Sequence, residues 1–337
     1  MGARSGLTVT GVPGWLSHAF LRALREAPLD GVATATAMVH HNVAVDDGVR
    51  AAYPNVTAWL PFELASGSDL RPLLAGARTV VHAAGIIHVR KPVEWDRVNT
   101  DGTVALATAA KAAGVERFVF VSSNAAGGAS ASAADVLTED VPARPRSRYG
   151  LSKLCAETAL SALHEAGRFE VVILRPSMFY GPPVPERHID IYRRVRSGRM
   201  PLVGGGKYRR SVTHVDNLVQ AVRLAIVKPE AAGQMYYIVD DEIATTRSIV
   251  EAMAAALGVP ARFVPLPAVL GSLAYGVDRL LEAAGRYSAP VHLLGESNWH
   301  VAISSAKARR ELGYAPTRSL GEGMKEAVAW CARMGKL

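Results

Sequence analysis

Apolar segments alternate with amphipathic helical segments along the first half of the chain, and this alternation restricts the fold more than any other feature. The apolar, strand-like segments are 7–11, 31–41, 79–85, 117–123 and 169–176. The helical segments between them are 15–27, 69–77, 100–114 and a helix that runs to about residue 164. Near-continuous apolar strands separated by such helices predict a parallel sheet covered on both faces. Right-handed crossovers then make it a doubly wound α/β sheet.

The chain changes character after Pro176. Segments 180–188 and 200–210 are rich in Gly, Pro and polar residues and predict loops. Beyond them, we predict a strand at 234–240 and helices at 216–227, 245–257, 266–284, 304–312 and 320–333. We therefore divide the chain into a sheet domain, residues 1–176, and a smaller, mostly helical lobe, residues 177–337, which returns some elements to the sheet.

One segment of this lobe, FVPLPAVLGSLAYGV at 263–277, is unusually apolar. Two prolines interrupt it, and it falls short of the ~20 apolar residues that a membrane-spanning helix needs. It is compatible with a segment that rests on a membrane or covers an apolar pocket. We favour the simpler interpretation, a buried or lid helix of the second lobe.

The first strand leads into a glycine-containing turn, TVTGVPGWLSHAF. Gly11 permits the tight turn, Gly14 permits close approach of a pyrophosphate, and Ser17 stands where a third glycine would be expected. Anions bind well at the N-terminus of the helix that follows. The position of this turn predicts dinucleotide binding, which makes residues 1–176 a Rossmann domain.

The end of the second strand lacks the carboxylate that would bind the adenosine ribose of NAD. The chain there is AMVHHN, residues 37–42, so that His40 or His41 occupies the position. A histidine can donate a hydrogen bond to the 2′-phosphate of NADP, and no acid would repel that phosphate. We therefore favour NADP slightly over NAD, while a solvated pair of histidines remains the alternative.

Tyr149 and Lys153 are four residues apart on one helix and therefore share a face. A tyrosine that acts as a base near neutrality needs its pKa lowered from ~10 by ~2–3 units, and a nearby ammonium favours the phenolate. Ser123 ends the strand RFVFVSS and is at the correct sheet edge to hydrogen-bond a substrate oxygen. The tyrosine and lysine alone are typical of a surface helix, but together with Ser123 and the glycine turn they indicate catalysis.

These motifs make the chain resemble the extended short-chain dehydrogenase/reductases, which include nucleotide-sugar epimerases and 3β-hydroxysteroid dehydrogenase-like enzymes. The motifs most closely resemble those of the 3β-hydroxysteroid dehydrogenase-like branch. The resemblance runs along nearly the whole chain through the segments TGVPGWLS, HAAG, VNTDGT, FVFVSS, the Tyr149/Lys153 pair, LRPSMFYGP, HVDNL and SSAKARRELGYAP. It implies a dinucleotide-dependent enzyme with a Rossmann domain and a substrate lobe.

The resemblance also implies roles for individual residues. Trp15 and Leu16 would lie on the pyrophosphate, and Lys153 would hold the nicotinamide ribose. The remaining cofactor contacts that it implies are Glu63 and Leu64 at the adenine, the backbone of Ala83, Ala84 and Gly85, Asn99 beside that loop, and Pro176 and Ser177 facing the nicotinamide. Glu63 stands where this class usually has an aspartate.

The residues expected to contact the substrate do not all favour the same substrate class. Dehydratases of this class carry an acidic pair after the catalytic hydroxyl, but here Asn124 and Ala125 follow it, so that dehydration lacks its acid and base. Met178 replaces the asparagine that nucleotide-sugar enzymes use at the substrate diphosphate, whereas Arg210 matches their phosphate-pairing arginine. Asn124, Met178 and Arg210 are thus the expected substrate contacts.

Three functions follow from these residues. We favour an oxidoreductase that interconverts a secondary alcohol and a ketone on a hydrophobic, hydroxysteroid-like or β-hydroxy/keto-acid-like substrate. A UDP- or TDP-hexose epimerase that uses transient oxidation is the alternative. A catalytically silent NAD(P)-binding regulator is disfavoured because Ser123, Tyr149 and Lys153 are all present.

Charge and cysteine content bear on partners and location. The net charge is +8, but Lys and Arg are scattered, and the densest cluster is the four-residue KYRR, so nucleic-acid binding is disfavoured. Two cysteines form neither a disulfide framework nor a metal site, and the N-terminus shows no secretory cleavage pattern, which together favour the cytoplasm. We expect the substrate to be a small molecule, and we expect the protein to have no membrane-spanning helix. Leu154, Ala159 and Leu163 would suit a homodimer face, or else belong to the core.

Overall fold

The computed structural model describes residues 6–29, 32–64 and 67–337. Residue 31, at the start of the predicted strand 31–41, lies outside the described residues. The strands are β1 Leu7–Val12, β2 Ala35–His40, β3 Val56–Phe62, β4 Thr79–His82, β5 Arg117–Val121, β6 Glu170–Pro176, β7 Met178–Tyr180, β8 Met200–Val203, β9 Arg209–His214, β10 Met235–Ile238, β11 Ile243–Thr245 and β12 Phe263–Leu266. 

The helices alternate with these strands. They are α1 Trp15–Glu26, α2 Asp47–Ala52, α3 Arg71–Leu74, α4 Val93–Trp95, α5 Thr103–Ala112, α6 Arg148–Leu163, α7 Glu186–Arg196, α8 Val215–Val227, α9 Thr246–Ala256, α10 Ala268–Ala283, α11 Ala289–Glu296, α12 Ala306–Leu312 and α13 Leu320–Arg333. A π-helical segment, Asp96–Gly102, joins α4 to α5.

Seven strands form one sheet in the order β10-β6-β5-β4-β1-β2-β3, and each neighbouring pair is parallel. The predicted doubly wound α/β fold is confirmed. Successive strands run outward from β1 to β3, and the chain then crosses to β4 on the other side of β1. Because the strand order reverses between β1 and β4, a crevice opens at the carboxyl ends of these strands, where such sheets bind ligands.

Apolar side chains bury both faces of the sheet. On one face, Phe20 and Leu24 of α1 pack with Val222 of α8 in one buried cluster. On the other face, Leu106 of α5 and Leu160 of α6 belong to a second cluster. Each fully buried side chain of this size stabilises the fold by about 1.5–3 kcal/mol, which holds the strand ends in fixed positions.

Strand β3 was missing from the sequence-based prediction. Its sequence, VTAWLPF, contains Pro61, and a proline within a strand argues against a central position because it lacks the N–H that a ladder requires. The structure resolves this conflict, since β3 is an edge strand of the sheet. 

The second half of the chain contains more strands and more helices than predicted. It contains a three-stranded sheet, β11-β9-β7, and a two-stranded sheet, β12-β8, which the sequence did not indicate. Helix α7 also begins within the segment 180–188 that was predicted as a loop. These strands have three to six residues, too few to produce a periodic signal, and pair with partners distant in the chain.

Strand β10, which follows residue 176 in the chain, pairs with β6 in the large sheet. We keep the division into residues 1–176 and 177–337 as a proposal, with Pro176 at the end of β6. The apolar segment 263–277 forms β12 and the first part of α10. Val269, Leu273 and Val277 are exposed, so the prediction of a buried helix is wrong, while a lid helix stays a prediction. No helix in the described part of the chain has the length and apolarity to cross a membrane.

Candidate active site

The turn between β1 and α1 has the shape that a dinucleotide pyrophosphate requires. Gly11 has a φ of 81°, and a Cβ at this residue would lie 2.8 Å from the backbone nitrogen of Ala84. A Cβ at Gly14 would lie 2.5 Å from the carbonyl oxygen of Gly11. Neither position therefore accepts a side chain. No side chain among the described residues caps α1, so the N–H groups of its first turn stay available to an anion.

Ser17 fulfils the packing role of the third glycine. Its side chain is buried, and its hydroxyl donates to the carbonyl oxygen of Thr10 at 3.1 Å, which ties α1 closely to β1. The adjacent Leu16 packs into the core, so only its backbone faces the turn. The indole of Trp15 packs against the ring of His188, with centroids 4.9 Å apart, and its buried Nε1 has no hydrogen-bond partner among the described residues.

His40, His41 and Glu63 meet where the adenosine end of a dinucleotide would lie. His40 is exposed, and its Nδ1 accepts a hydrogen bond from the backbone N–H of Asn42 at 3.2 Å. The rings of His40 and His41 have centroids 4.3 Å apart, and Nδ1 of His41 is 3.7 Å from Oε2 of Glu63. Leu64 is buried against the π-helical segment, where a Cβ at Gly102 would lie 2.6 Å from the Leu64 Cβ.

The loop after β4 is held in place by two side chains. Thr10 Oγ1 accepts from the backbone N–H of Ala84 at 3.1 Å. The buried amide of Asn99 makes two 2.9 Å hydrogen bonds with Ile86, one to its N–H and one to its carbonyl. A Cβ at Gly85 would lie 3.3 Å from Lys153 Nζ, so that the lysine ammonium is adjacent to the loop backbone of residues 83–85. These residues, with the glycine turn, fit a dinucleotide.

Helix α6 and strand β5 bring the three predicted catalytic residues together. Ser147 caps α6 by accepting from the N–H of Gly150, which fixes the first turn that carries Tyr149. Ser123 follows β5, and its hydroxyl accepts from the N–H of Ala125 at 3.2 Å. The Ser123 hydroxyl is close enough to the Tyr149 hydroxyl to lower the pKa of the tyrosine. Lys153 is one turn further along α6 and is buried.

Burial raises the pKa of Tyr149, which corrects the expectation that the Lys153 ammonium lowers it. The Ser123 hydroxyl and the charge of Arg187 lower the pKa of Tyr149, while the charge of Glu296 raises it, and burial outweighs the two lowering effects. Lys153 is not among the causes of this shift, and its Nζ lies over the ring of Phe120 and 3.4 Å from the carbonyl oxygen of Val121. The phenol is therefore protonated at neutral pH in the cofactor-free protein.

Burial lowers the pKa of Lys153 to about 8, and the carboxylate of Glu157 partly opposes this shift. Glu157 is the next residue on the same helix face and is itself buried. It accepts hydrogen bonds from Ser122 and from Nε of Arg175 at 2.9 and 3.1 Å. This buried ion pair joins α6 to β6 and fixes the helix that carries Tyr149 and Lys153.

The predicted nicotinamide and substrate positions lie at the entrance to the second lobe. Pro176 pairs with Ile238 at the end of β6. Ser177 is buried, and its hydroxyl donates to the carbonyl oxygen of Ser211 at 2.7 Å, so that it links two segments of the lobe. Asn124 opens the short 3-10 helix beside Ser123, and Met178 begins β7 with 43% of its surface exposed.

Arg210 is engaged within the protein. Its guanidinium donates to the backbone carbonyl of Glu296, and burial lowers its pKa although the Glu296 carboxylate opposes this. Nε2 of His292 is 3.3 Å from the Glu296 carboxylate, and its Nδ1 is 2.7 Å from that of Asp278. Burial alone would lower the pKa of His292, but these two carboxylates raise it to about 9.

The wall of the site next to Tyr149 is formed by residues that the sequence did not indicate. The ring of Trp95 has its centroid 6.1 Å from that of Tyr149, and the ring of Tyr287 is 4.9 Å from Trp95. Arg187 is close enough to lower the pKa of Tyr149, and it forms no ion pair within the described ranges. Neither spacing nor periodicity indicated these residues, because they come from separate parts of the chain.

A family model named NAD dependent epimerase/dehydratase family matches residues 7–240. The chain belongs to this family. Membership confirms the predicted extended short-chain dehydrogenase/reductase class, and the protein is an NAD-dependent oxidoreductase of that family and an enzyme. The family match does not single out the 3β-hydroxysteroid dehydrogenase-like branch.

Three similar proteins of this family carry different functional names. The UDP-glucose 4-epimerase of Vibrio cholerae is 31% identical, over 86% of this chain and 85% of its own. The dTDP-glucose 4,6-dehydratase of Streptomyces griseus is 30% identical, over 96% and 93%. The 4-hydroxy-2-methyl-3-oxo-4-farnesyl-3,4-dihydroquinoline-1-oxide ketoreductase of Stigmatella aurantiaca is 29% identical, over 73% and 75%. 

The fold also matches solved structures along its length. The crystal structure of gox2253 superposes with a TM-score of 0.78 at 26% identity, covering 98% of this chain and 99% of that one. The names of the similar proteins thus include an epimerase, a dehydratase and a ketoreductase. Only the residues of the site can indicate which of these three reactions suits this chain.

Proposed function

We propose that this family member interconverts a secondary alcohol and a ketone by hydride transfer, with Ser123, Tyr149 and Lys153 as its catalytic residues. The observation that carries the proposal is the proximity of Ser123 and Tyr149 at the carboxyl ends of the central strands, with Lys153 one turn further along α6. Both hydroxyl groups can reach one substrate oxygen, and the ammonium is adjacent to the loop expected to line the cofactor.

Each residue has a defined task in this proposal. When bound, the reduced dinucleotide supplies the hydride. Tyr149 donates its phenolic proton to the carbonyl oxygen, and the Ser123 hydroxyl holds that oxygen by a hydrogen bond. Since burial raises the pKa of Tyr149, the phenol begins in the protonated form, which favours ketone reduction. Lys153 holds the nicotinamide ribose through its ammonium.

The residues beside the catalytic hydroxyl argue against dehydration. Asn124 follows Ser123 directly and Ala125 comes next, and neither side chain exchanges a proton. The dTDP-glucose 4,6-dehydratase reaction named for one similar protein needs such an acid and base. We therefore propose a reductase or dehydrogenase in preference to a dehydratase.

Arg187 narrows the substrate class. Its guanidinium is near enough for its charge to lower the pKa of Tyr149 and forms no ion pair in the described part of the chain, so an anionic substrate group would gain a strong partner there. The neighbouring wall is aromatic, formed by Trp95 and Tyr287, and Met178 adds an exposed apolar side chain. This combination favours a β-keto or β-hydroxy acid with an apolar body over an uncharged steroid.

A UDP- or TDP-hexose epimerase is the second candidate, and the 31% identity to the UDP-glucose 4-epimerase of Vibrio cholerae favours it. Arg210 would bind the diphosphate in that case. Its guanidinium already donates to the Glu296 carbonyl, however, and would have to leave that partner. Arg187 and Arg210 thus separate the two candidates.

Replacing Tyr149 with phenylalanine tests the catalytic assignment. We expect Tyr149→Phe to lower kcat at least about 100-fold while cofactor affinity stays unchanged, because only the transferred proton is lost. Tyr53→Phe, a change at a tyrosine buried under α1, is the control and should retain activity. Equal loss of turnover and cofactor binding in Tyr149→Phe would show a structural role. Cofactor binding by the wild type without turnover of any ketone or sugar would favour the silent regulator.

Two arginine variants test the substrate class. For a β-keto acid, Arg187→Ala should raise KM about 10-fold to 100-fold, because a charged hydrogen bond is worth roughly 1.5–3 kcal/mol. Arg196→Ala, an exposed position on the same helix, is the matched control. If UDP-hexoses bind the wild type and Arg210→Ala abolishes that binding, the epimerase is correct and the keto acid proposal fails.

The cofactor form, assembly and location complete the proposal. We propose NADP as the preferred form, because His40 is exposed at the end of β2 and the carboxylate of Glu63 pairs with His41. We further propose a homodimer through α6, where Leu154 and Ala159 are half-buried, whereas Leu163 packs against the core. We also propose a place in the cytoplasm, consistent with two unpaired cysteines. Sedimentation of the purified protein tests the dimer.

A further inference from the structure

Helix α10 has its polarity reversed relative to an ordinary surface helix. Its buried side carries two carboxylates, Asp278 at 3% and Glu282 at 5% exposure. Its exposed side carries large apolar residues, among which Leu273 is 60% and Leu280 is 72% exposed. A helix at a water-facing surface places its charged residues outward and its apolar residues inward. This arrangement therefore suits an apolar environment outside the protein.

The exposed apolar residues form one continuous stripe. At 100° per residue, Val269, Leu273, Val277 and Leu280 fall within about 80° of each other around the helix. Leu293 of α11 and Val264 of β12 are also exposed, at 59% and 44%. We call these six residues the apolar face. Contiguous apolar patches of this kind mark contact with a protein or a membrane.

The carboxylates behind the apolar face are held inside by partners. His292 of α11 pairs with Asp278, and Arg279 pairs with Glu282. Glu282 also accepts from the backbone N–H of Arg148, at the start of the helix that carries Tyr149. The buried charges thus join α10 and α11 to each other and to the catalytic helix, which leaves the apolar residues on the outer side.

The charges around the apolar face are basic. Every acidic residue between positions 261 and 295 is buried, whereas Arg262, Arg279 and Arg286 are exposed. Arg194 and Arg199 line an open depression with Val264 at the edge of the face, and the one acid that lines it, Asp190, pairs with Arg193. In the described residues, Arg194, Arg199, Arg262 and Arg286 form no ion pair. A rim of unpaired arginines is complementary to negatively charged phosphate groups.

We propose that the apolar face of α10 and α11 docks on a lipid bilayer that contains anionic lipids, with the arginine rim on the lipid phosphates. Interfacial helices have this composition, with apolar residues in the acyl boundary and Lys or Arg at the headgroups. A second copy of this chain would bury the stripe but would place two arginine rims opposite each other. Charge therefore favours the bilayer.

Docking on this face brings the substrate site to the membrane. Tyr287, between α10 and α11, contacts Trp95 in the wall next to Tyr149. A docked protein would therefore present its substrate pocket to compounds dissolved in the lipid. The docking itself does not depend on the proposed reaction, and it is measured without substrate.

Vesicle flotation of the full-length protein tests the proposal. The wild type should bind to and float with vesicles of phosphatidylglycerol and phosphatidylcholine. The amount of protein that floats with pure phosphatidylcholine vesicles should be at least about tenfold lower. Leu273→Asp/Val277→Asp should abolish flotation, and Val141→Asp/Met334→Asp, at two exposed apolar residues elsewhere, should not. Arg262→Glu/Arg286→Glu should reduce flotation at least about tenfold, whereas Arg25→Glu/Arg50→Glu, with the same charge change, should leave it intact.

Thermal unfolding shows whether each variant is folded, and the Arg262→Glu/Arg286→Glu variant provides a test that leaves the apolar stripe unchanged. The proposal is overturned if the wild type does not float with anionic vesicles, or if Leu273→Asp/Val277→Asp floats as well as the wild type. It is also overturned if the wild type is a dimer, Leu273→Asp/Val277→Asp is a monomer, and neither protein binds vesicles, since a second copy of the chain would then cover the apolar face.

Discussion

Replacing the proposed catalytic lysine, Lys153, with methionine is expected to stabilise the cofactor-free protein while it abolishes turnover. Lys153 is 5% exposed, and burial lowers its pKa from 10.5 to about 8. A lowered lysine pKa means that the fold disfavours the ammonium. Removing the charge from this position should therefore remove a destabilising contribution, which the protein retains for the sake of its active site.

The size of the effect follows from the pKa difference. At ~1.36 kcal/mol per pH unit, a fall from 10.5 to about 8 makes the buried ammonium unfavourable by about 3 kcal/mol below pH 8. Methionine also loses the contact of the ammonium with the Phe120 ring, worth roughly 1 kcal/mol. It loses the 3.4 Å hydrogen bond to Val121 as well, worth roughly 0.5 kcal/mol. The expected net gain for Lys153→Met is about 1–2 kcal/mol at pH 7.

The pH dependence provides a second signature. Between pH 8 and 10.5 the unfolded chain keeps the lysine proton that the folded protein loses, so wild-type stability rises with pH in this window. The advantage of Lys153→Met should shrink from pH 8 upward and disappear near pH 10.5. Urea unfolding of both proteins without cofactor, at pH 7 and at pH 10, measures this difference.

Lys111→Met is the matched control. Lys111 is half-buried, donates to the Leu163 carbonyl at 2.9 Å, and pairs with Glu165 at 3.2 Å. Because these contacts favour its charge, its replacement should destabilise the protein by up to about 1 kcal/mol. If Lys153→Met is as unstable as Lys111→Met at pH 7, the reasoning about the buried ammonium is refuted.

Three further outcomes are expected. His40→Asp should raise KM for NADP at least about tenfold and leave that for NAD nearly unchanged, since a carboxylate repels the 2′-phosphate; steady-state kinetics with both cofactors would contradict this if the two values moved together. His292→Gln should lower the free energy of unfolding by about 3 kcal/mol at pH 6, because the folded protein raises the pKa of His292 from 6.5 to about 9. The stability that this shift adds is fully present below pH 6.5 and is lost as the pH rises through 9. Equal destabilisation at pH 6 and pH 9.5 in urea unfolding would disprove this. Ser123→Ala should lower kcat and move the alkaline limb of the pH–rate profile to higher pH, because the Ser123 hydroxyl lowers the pKa of Tyr149. An unmoved limb would argue against an interaction between the two hydroxyl groups.

Most of the sheet domain was predictable because its signals are local. Strands β1, β4, β5 and β6 show near-continuous apolar runs, and the helices between them show a helical period. The glycine turn and the four-residue spacing of Tyr149 and Lys153 are also local patterns. Strand β3 was missed because Pro61 conceals it, and only its edge position makes that proline acceptable.

The electrostatics and the pocket wall were not predictable. Sequence spacing suggested that Lys153 acidifies Tyr149, yet the ammonium lies against Phe120 and Val121, and burial raises the phenol pKa instead. Arg187 comes close to Tyr149 only through the fold. The sign and size of a pKa shift depend on burial and distance, which spacing along the chain does not specify.

The sequence alone thus determined the parallel sheet, the phosphate turn and the helix that carries the phenol and the ammonium, because hydrophobic period and glycine position act within a few residues. Only the tertiary structure decided which charges face the phenol, that Arg210 is already engaged, and that α10 turns its leucines outward and its carboxylates inward. The physical reason is that burial is a property of packing between distant segments, and it sets both the pKa values and the direction in which an amphipathic helix faces.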